Sequence, residues 1–171
     1  IHLGVKINNF KKHRSKCSDT FIIATPAELK EHKGHVYALE AAKILIDLGI
    51  TKFKWFFYGS GPLLNQLKKK VKELNLMNNC YFSGIVDHKE LLNKYKDNQV
   101  DIVVSCSISI LNIFEGIPVS LMEAMSYEIP VIATDCGSTR ELVDGQSGIL
   151  INQNESVGLK NAIFKLMHEP E

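Results

Sequence analysis

Two carboxylates, Glu115 and Glu123, bracket a helix start in this 171-residue sequence. The stretch reads Phe114-Glu115-Gly116-Ile117-Pro118-Val119-Ser120-Leu121-Met122-Glu123-Ala124-Met125. Asp101 to Ser105, dense in Val and Ile, predicts a strand, so Glu115 falls in a loop beyond a C-terminal strand end. Gly116 lets a ligand approach the backbone closely. Pro118 is a favoured first-turn residue, and a helix is expected over Val119 to Tyr127. The N–H groups of Val119 and Ser120 then point back at the loop, which makes an anion site. Glu123 lies one turn in, on the face of Ser120. A carboxylate there can accept two hydrogen bonds from a vicinal diol such as ribose. Leu121, Met122, Ala124 and Met125 make the helix apolar on most sides, so Glu123 is expected to be at least half-buried and to need a partner.

Alternating elements must position these groups. Strands are expected at Phe21 to Ala24, Lys54 to Tyr58, Cys80 to Phe82, Asp101 to Ser105, Val131 to Thr134 and Ile149 to Ile151. Helices are expected at Val36 to Leu48, Leu63 to Leu74, from an Asp87 cap to Tyr95, Val119 to Tyr127, Ser138 to Val143 and Ser156 to His168. Gly49 sits at a C′ position. Strands apolar on both faces, alternating with helices, imply an α/β fold: a doubly wound, Rossmann-like parallel sheet with helices on both faces. Ligands of such sheets bind beyond the C-terminal strand ends, near the switch in strand order. The loops after Ala24, Tyr58, Phe82, Ser105 and Thr134 are the ones to inspect. Residues 1–19 read as a linker and entry segment, and 20–171 as one domain.

Composition limits the alternatives. Apolar content of 45% and charged content of 23% are ordinary for a globular chain. A net charge of +1 supplies no broad field for nucleic acid or an anionic membrane. Lys68-Lys69-Lys70 with Lys72 reads as a solvated helix face. Cys17, Cys80, Cys106 and Cys136 lack metal or redox spacing and are read as reduced, so a cytoplasmic protein is expected. No apolar run approaches the roughly 20 residues of a bilayer span, and no signal peptide opens the chain. A start on Ile1 suggests a piece of a longer protein. His2 and His88 read as surface residues, Asp135 and Arg140 equally as loop residues or ligand contacts, and Trp55, Phe56 and Phe57 as core.

The run Glu-Gly-x-Pro-x-Ser-x-x-Glu-Ala-Met resembles the signature of the retaining glycosyltransferases of family 4, which have the GT-B fold. The resemblance covers nearly the whole chain. His2-Leu3-Gly4-Val5 with Phe10 is similar to the family's linker. Lys33-Gly34-His35 resembles its phosphate-binding Lys-Gly, and Gly59-Ser60-Gly61-Pro62 its Gly-x-Gly-Pro loop. Phe82-Ser83-Gly84 resembles the Phe-x-Gly before the base-binding loop. Pro130 to Thr134, Glu141-Leu142-Val143 and Gly148-Ile149-Leu150 match as well.

The resemblance implies the C-terminal, donor-binding half of such an enzyme, with the N-terminal acceptor domain absent. It places Glu115 against the sugar hydroxyls and Glu123 on the ribose. Amides around Gly116, Ile117, Pro118, Val119 and Ser120 would hold the diphosphate. Lys33 would neutralise the leaving phosphate. Gly59, Gly61 and Gly84 would belong to the nucleotide site, with Ile85 against the base. A lysine and a helix N-terminus stabilise the departing charge without a metal, and no Asp-x-Asp motif occurs. The expected donor is a UDP- or GDP-sugar. The expected acceptor is a glycan or lipid-linked glycan in surface polysaccharide synthesis, and peripheral membrane association of a full-length protein is compatible with this. The isolated fragment is expected to transfer little.

One position departs from the pattern. The Arg-Leu that often precedes the Lys-Gly is Glu28-Leu29 here. Lys30 or His32 is left to compensate, or Glu28 to position Lys33. Three other functions share features with this sequence. A phosphorylase needs a pyridoxal phosphate lysine, and none has a matching context. A sugar-nucleotide epimerase lacks the Glu-Gly-x-Pro run. A stand-alone nucleotide-binding or interaction module is favoured by length more than by motif.

Overall fold

Six short apolar runs, each followed by an amphipathic or apolar helix, close into one parallel sheet in the computed structural model, which describes residues 19–110 and 116–168. The strands are β1 (Phe21–Pro26), β2 (Phe53–Tyr58), β3 (Cys80–Gly84), β4 (Ile102–Ser105), β5 (Val131–Thr134) and β6 (Ile149–Ile151). The helices are α1 (His35–Asp47), α2 (Leu64–Glu73), α3 (His88–Lys96), α4 (Val119–Ser126), α5 (Thr139–Leu142) and α6 (Ser156–His168). The strand order is β3-β2-β1-β4-β5-β6. Every neighbouring pair is parallel. This is the doubly wound, Rossmann-like architecture expected. The linker assigned to residues 1–19 lies outside the described residues except for Asp19.

The pleat sends alternate strand residues to two separate cores. Phe21, Ile23, Phe53, Trp55, Phe57, Ile102, Val104 and Ile132 face one side, under α1, α2 and α6. Ala24, Val103, Val131 and Ala133 face the other, under Leu91 and Tyr95 of α3 and Leu121 and Ala124 of α4. Trp55 and Phe57 are fully buried, as expected, and the indole donates to Thr25 Oγ1 at 2.9 Å. Phe56 instead faces the second side, half-buried and stacked between Tyr58 and Tyr81. That splits the predicted core run by the period of two.

β5, β6 and α6 have the expected bounds, and the other elements differ by one or two residues at an end. β1 runs on through Thr25 and Pro26, which pair with Phe57 and Tyr58 of β2. Tertiary pairing carries a polar residue and a proline that an apolar pattern does not. A single 3-10 turn, Glu31–Lys33, interrupts the loop before α1. Its three polar residues have no periodicity to announce it.

Candidate functional site

The strand order reverses between β1 and β4, and there the two outgoing loops part to opposite faces. A cavity of about 320 Å³ opens at this point. Thr25, Ala27, Glu28 and Lys33 line it from the β1 side, and Ser105 to Ser107 from β4. Ile117, Pro118, Val119 and Ser120 line it from the start of α4. Lys33 and the helix start, far apart in sequence, thus share one wall-to-wall space.

Backbone contacts fix this geometry. Ile108 N–H donates to His32 C=O at 2.8 Å, tying the β4 loop to the 3-10 turn. Gly34 has φ +62, and a Cβ there would lie 2.0 Å from Cys106 C=O. Only glycine permits that approach. Behind Gly34, His35 is buried, and its Nε2 contacts Glu28 C=O at 2.8 Å. Burial pushes the His35 imidazole below its ordinary pKa, so it is neutral and donates to that carbonyl. The loop carrying Glu28 and Lys33 is therefore braced from within.

Gly59 and Gly61, expected in the nucleotide site, lie beside the loop of Glu28 and Lys33. Their open flanks press on the same loop: a Cβ would come 2.1 Å from Ala27 C=O and 2.5 Å from Leu29 C=O respectively. Leu29 N–H donates to Ser60 C=O and Leu63 N–H to Leu29 C=O. Neither glycine lines the cavity. Gly84 C=O accepts from Gly59 N–H at 2.8 Å, so the three loops form a hydrogen-bonded series. Ile85, 80% exposed, lines a second cavity of about 450 Å³ with Tyr58, Ser83, Glu90 and Lys94.

At α4, Pro118 occupies the N-cap position, and its C=O accepts from Leu121 and Met122 N–H at 3.0 and 3.3 Å. Val119 and Ser120 precede the first intrahelical donors, so their N–H groups belong to the positive end of the helix. Gly116, next in sequence to the cavity-lining Ile117, is exposed. Glu115 lies outside the described residues. Glu123 is 15% exposed, as the apolar helix predicts, and its partner is His88: Nε2 to Oε1 is 2.7 Å. His88 is 63% exposed, so its surface reading holds, but its contact with Glu123 was not foreseen. The link joins two helices, and no local spacing announces it.

The departure at Glu28 acquires a geometry. Lys30 Nζ lies 2.6 Å from Glu28 Oε2. Lys30 holds the Glu28 carboxyl below the usual carboxylate range, with Lys33 and His32 adding to the effect. Lys30 is thereby engaged by Glu28, and Lys33 is the lysine that lines the cavity. Asp135 and Arg140 form an exposed ion pair beyond β5, outside the cavity lining. Among the described residues no group of three His, Cys, Asp or Glu side chains could hold a metal ion. No helix among them is long and apolar enough to cross a membrane.

Known proteins resemble this chain in sequence and in fold. The chain is 30% identical over 167 residues to the amylovoran biosynthesis glycosyltransferase AmsK of Erwinia amylovora, covering 96% of this chain and 40% of AmsK. The C-terminal domain of LpcC, a glycosyl transferase group 1 family protein of Francisella tularensis, superposes with a TM-score of 0.73 at 26% identity. That match covers 88% of this chain and 76% of the LpcC chain. The Anabaena protein HepE, solved in complex with UDP, superposes with a TM-score of 0.76 at 22% identity, over 89% of this chain and 40% of HepE. The chain spans 20% to 40% of the length of the sequence relatives it matches. The family model "Glycosyl transferases group 1" matches residues 6–171. Such a match, across a parallel sheet with its cleft at the strand switch, makes this chain a member of the glycosyl transferases group 1 family.

Proposed function

We propose that this domain binds the nucleotide diphosphate sugar donor of a retaining hexosyltransferase, and that a further domain of the full-length enzyme presents a glycan or lipid-linked acceptor. The observation that carries the reading is the shared cavity: Lys33 and the first turn of α4 line one space at the β1–β4 switch. A diphosphate seated there meets an ammonium and a helix N-terminus together. Solved relatives support the ligand class, since HepE is recorded with UDP and also with UDP-glucose.

In the proposed reaction the bond from the sugar C1 to the diphosphate oxygen breaks, and the acceptor oxygen bonds C1 on the same face. The acceptor proton passes to the leaving diphosphate, so no enzymic base is needed. Negative charge grows on the diphosphate, and Lys33 with the Val119 and Ser120 amides stabilises it where it develops. This arrangement needs no metal. Glu115 contacts the sugar hydroxyls, Glu123 the ribose, and Ile85 the base, which is uracil or guanine. The unpaired Cys80, Cys106 and Cys136 thiols support a reducing, cytoplasmic setting.

Calorimetric titration with UDP and GDP tests the reading. Glu123→Ala is expected to lower nucleotide affinity at least about tenfold. Lys68→Ala, on the exposed face of α2, is expected to leave it unchanged. Equal affinities for the two variants refute the ribose assignment. Transfer by this domain alone at the rate of a full-length relative refutes the division of labour.

A further inference from the structure

Glu123 of α4 is held by the neighbouring helix α3. His88, the first residue of α3, contacts its Oε1 at 2.7 Å. Deeper in α3, Tyr95 is buried, and its hydroxyl has no hydrogen-bond partner among the described residues. Burial, together with the nearby Glu123 and Tyr58, pushes the Tyr95 phenol above its ordinary pKa. The ring packs on Tyr127 just beyond α4, so α3 and α4 meet at both ends of this contact. The entry to α3 is itself fixed: Asp87 accepts from Lys89 N–H at 2.9 Å, capping the helix. Ile85 lies three residues before His88, in the same loop.

We propose that His88 is a positioning residue for the donor ribose. Its imidazole Nε2–H donates to Oε1 of Glu123 and draws charge from that oxygen, leaving Oε2 the stronger acceptor for a ribose hydroxyl. The inference rests on the ribose reading of Glu123 given above. A glutamate side chain loses considerable rotamer freedom on binding. With His88 in place much of that ordering precedes the ligand. The contact also ties the loop carrying Ile85 to the carboxylate on α4, so base and ribose are read by one rigid unit. Two unequal oxygens make a particular prediction: the ribose hydroxyl that donates to Oε2 counts more than the other.

The test compares UDP, 2′-deoxy-UDP and 3′-deoxy-UDP by calorimetric titration of the whole chain. In the wild type, one deoxy analogue is expected to bind about tenfold more weakly than UDP, the scale of one charge-assisted hydrogen bond, and the other within about twofold. His88→Ala is expected to weaken UDP and to shrink the difference between the two analogues. His88→Gln, which can place an amide donor near the Nε2 position, is expected to restore that difference. A merely structural role for His88 would weaken all three ligands in parallel. Tighter UDP binding by His88→Ala overturns the proposal, because it means His88 competes with ribose. An unchanged difference in His88→Ala overturns it too, as does a wild type that treats both analogues alike. Glu123→Ala separates the His88 role from the ribose role of Glu123. If it loses affinity while His88→Ala does not, only the His88 role fails. If Glu123→Ala binds UDP like the wild type, the ribose reading fails and the His88 role with it.

Discussion

Single residues set the chemistry of this site through what they touch. Glu28 replaces a cation of the family pattern, yet it does not leave the cavity without one. It draws Lys30 to itself, and Lys33 remains in the lining. His35 works from behind, as a buried neutral donor to the Glu28 carbonyl. That neutrality has a pH consequence. The folded-state pKa of His35 is depressed, so the unfolded chain binds the proton more readily. The stability this contributes is complete above the unfolded value of roughly 6.5 and is lost as pH falls towards the depressed folded value. Urea unfolding between pH 7.5 and 5 should show a falling midpoint in the wild type. His35→Gln, which keeps a donor without titrating, should show a flatter profile. Equal slopes for the two proteins contradict this role.

At the scale of elements, glycines distinguish packing from punctuation. Gly34 starts α1 with φ +62 and with Cys106 C=O where a side chain would go. Gly34→Ala costs about 1–2 kcal/mol for the left-handed backbone alone, and relief of the overlap must move the β4 loop. A lower urea midpoint together with weaker UDP binding is the expected outcome. Gly49, φ +80 at the end of α1, faces open space. Gly49→Ala should cost about 1 kcal/mol and leave UDP binding unchanged. Loss of binding in both variants would show that the effect is global rather than local to the cleft. The same contrast shows what the sequence made legible. Gly49 was readable because a helix stop is local: its N–H donates to Ile46 C=O at 2.9 Å. Strand and helix alternation was readable for the same reason. The bearing of Gly59 and Gly61 on the loop of Ala27 and Leu29 was not, because it joins chain segments some thirty residues apart. Likewise the Glu123 carboxylate was legible as a half-buried acceptor, from its own helix, but its partner His88 was not.

Across the whole molecule, the two faces of the sheet are closed differently. On one face Glu40 of α1 accepts from Lys70 of α2 and Ser156 of α6, both at 2.8 Å, clamping three helices over the aromatic core. On the other, α3 and α4 cover the β1–β4 side, while Phe56, Tyr58 and Tyr81 stay half-exposed at the β2–β3 edge. The rigid clamp lies on the face away from α4, and the cavity opens at the C-terminal strand ends between the faces, bounded by the ends of β1 and β4, their outgoing loops and one helix start. This division, a braced scaffold carrying a loop-built cleft, is what donor binding requires: fixed dipoles aimed at a place where charge arrives. Donor binding of this kind requires the diphosphate to occupy that cleft. Mapping of backbone amide shifts on addition of UDP, with uridine as the comparison, tests it most directly. Large shifts are expected at Gly34, Ile117, Val119 and Ser120 with UDP, and small ones there with uridine, which lacks the diphosphate. Equal shifts at these amides with both ligands, or shifts with UDP confined to α2 around Lys68, would contradict it.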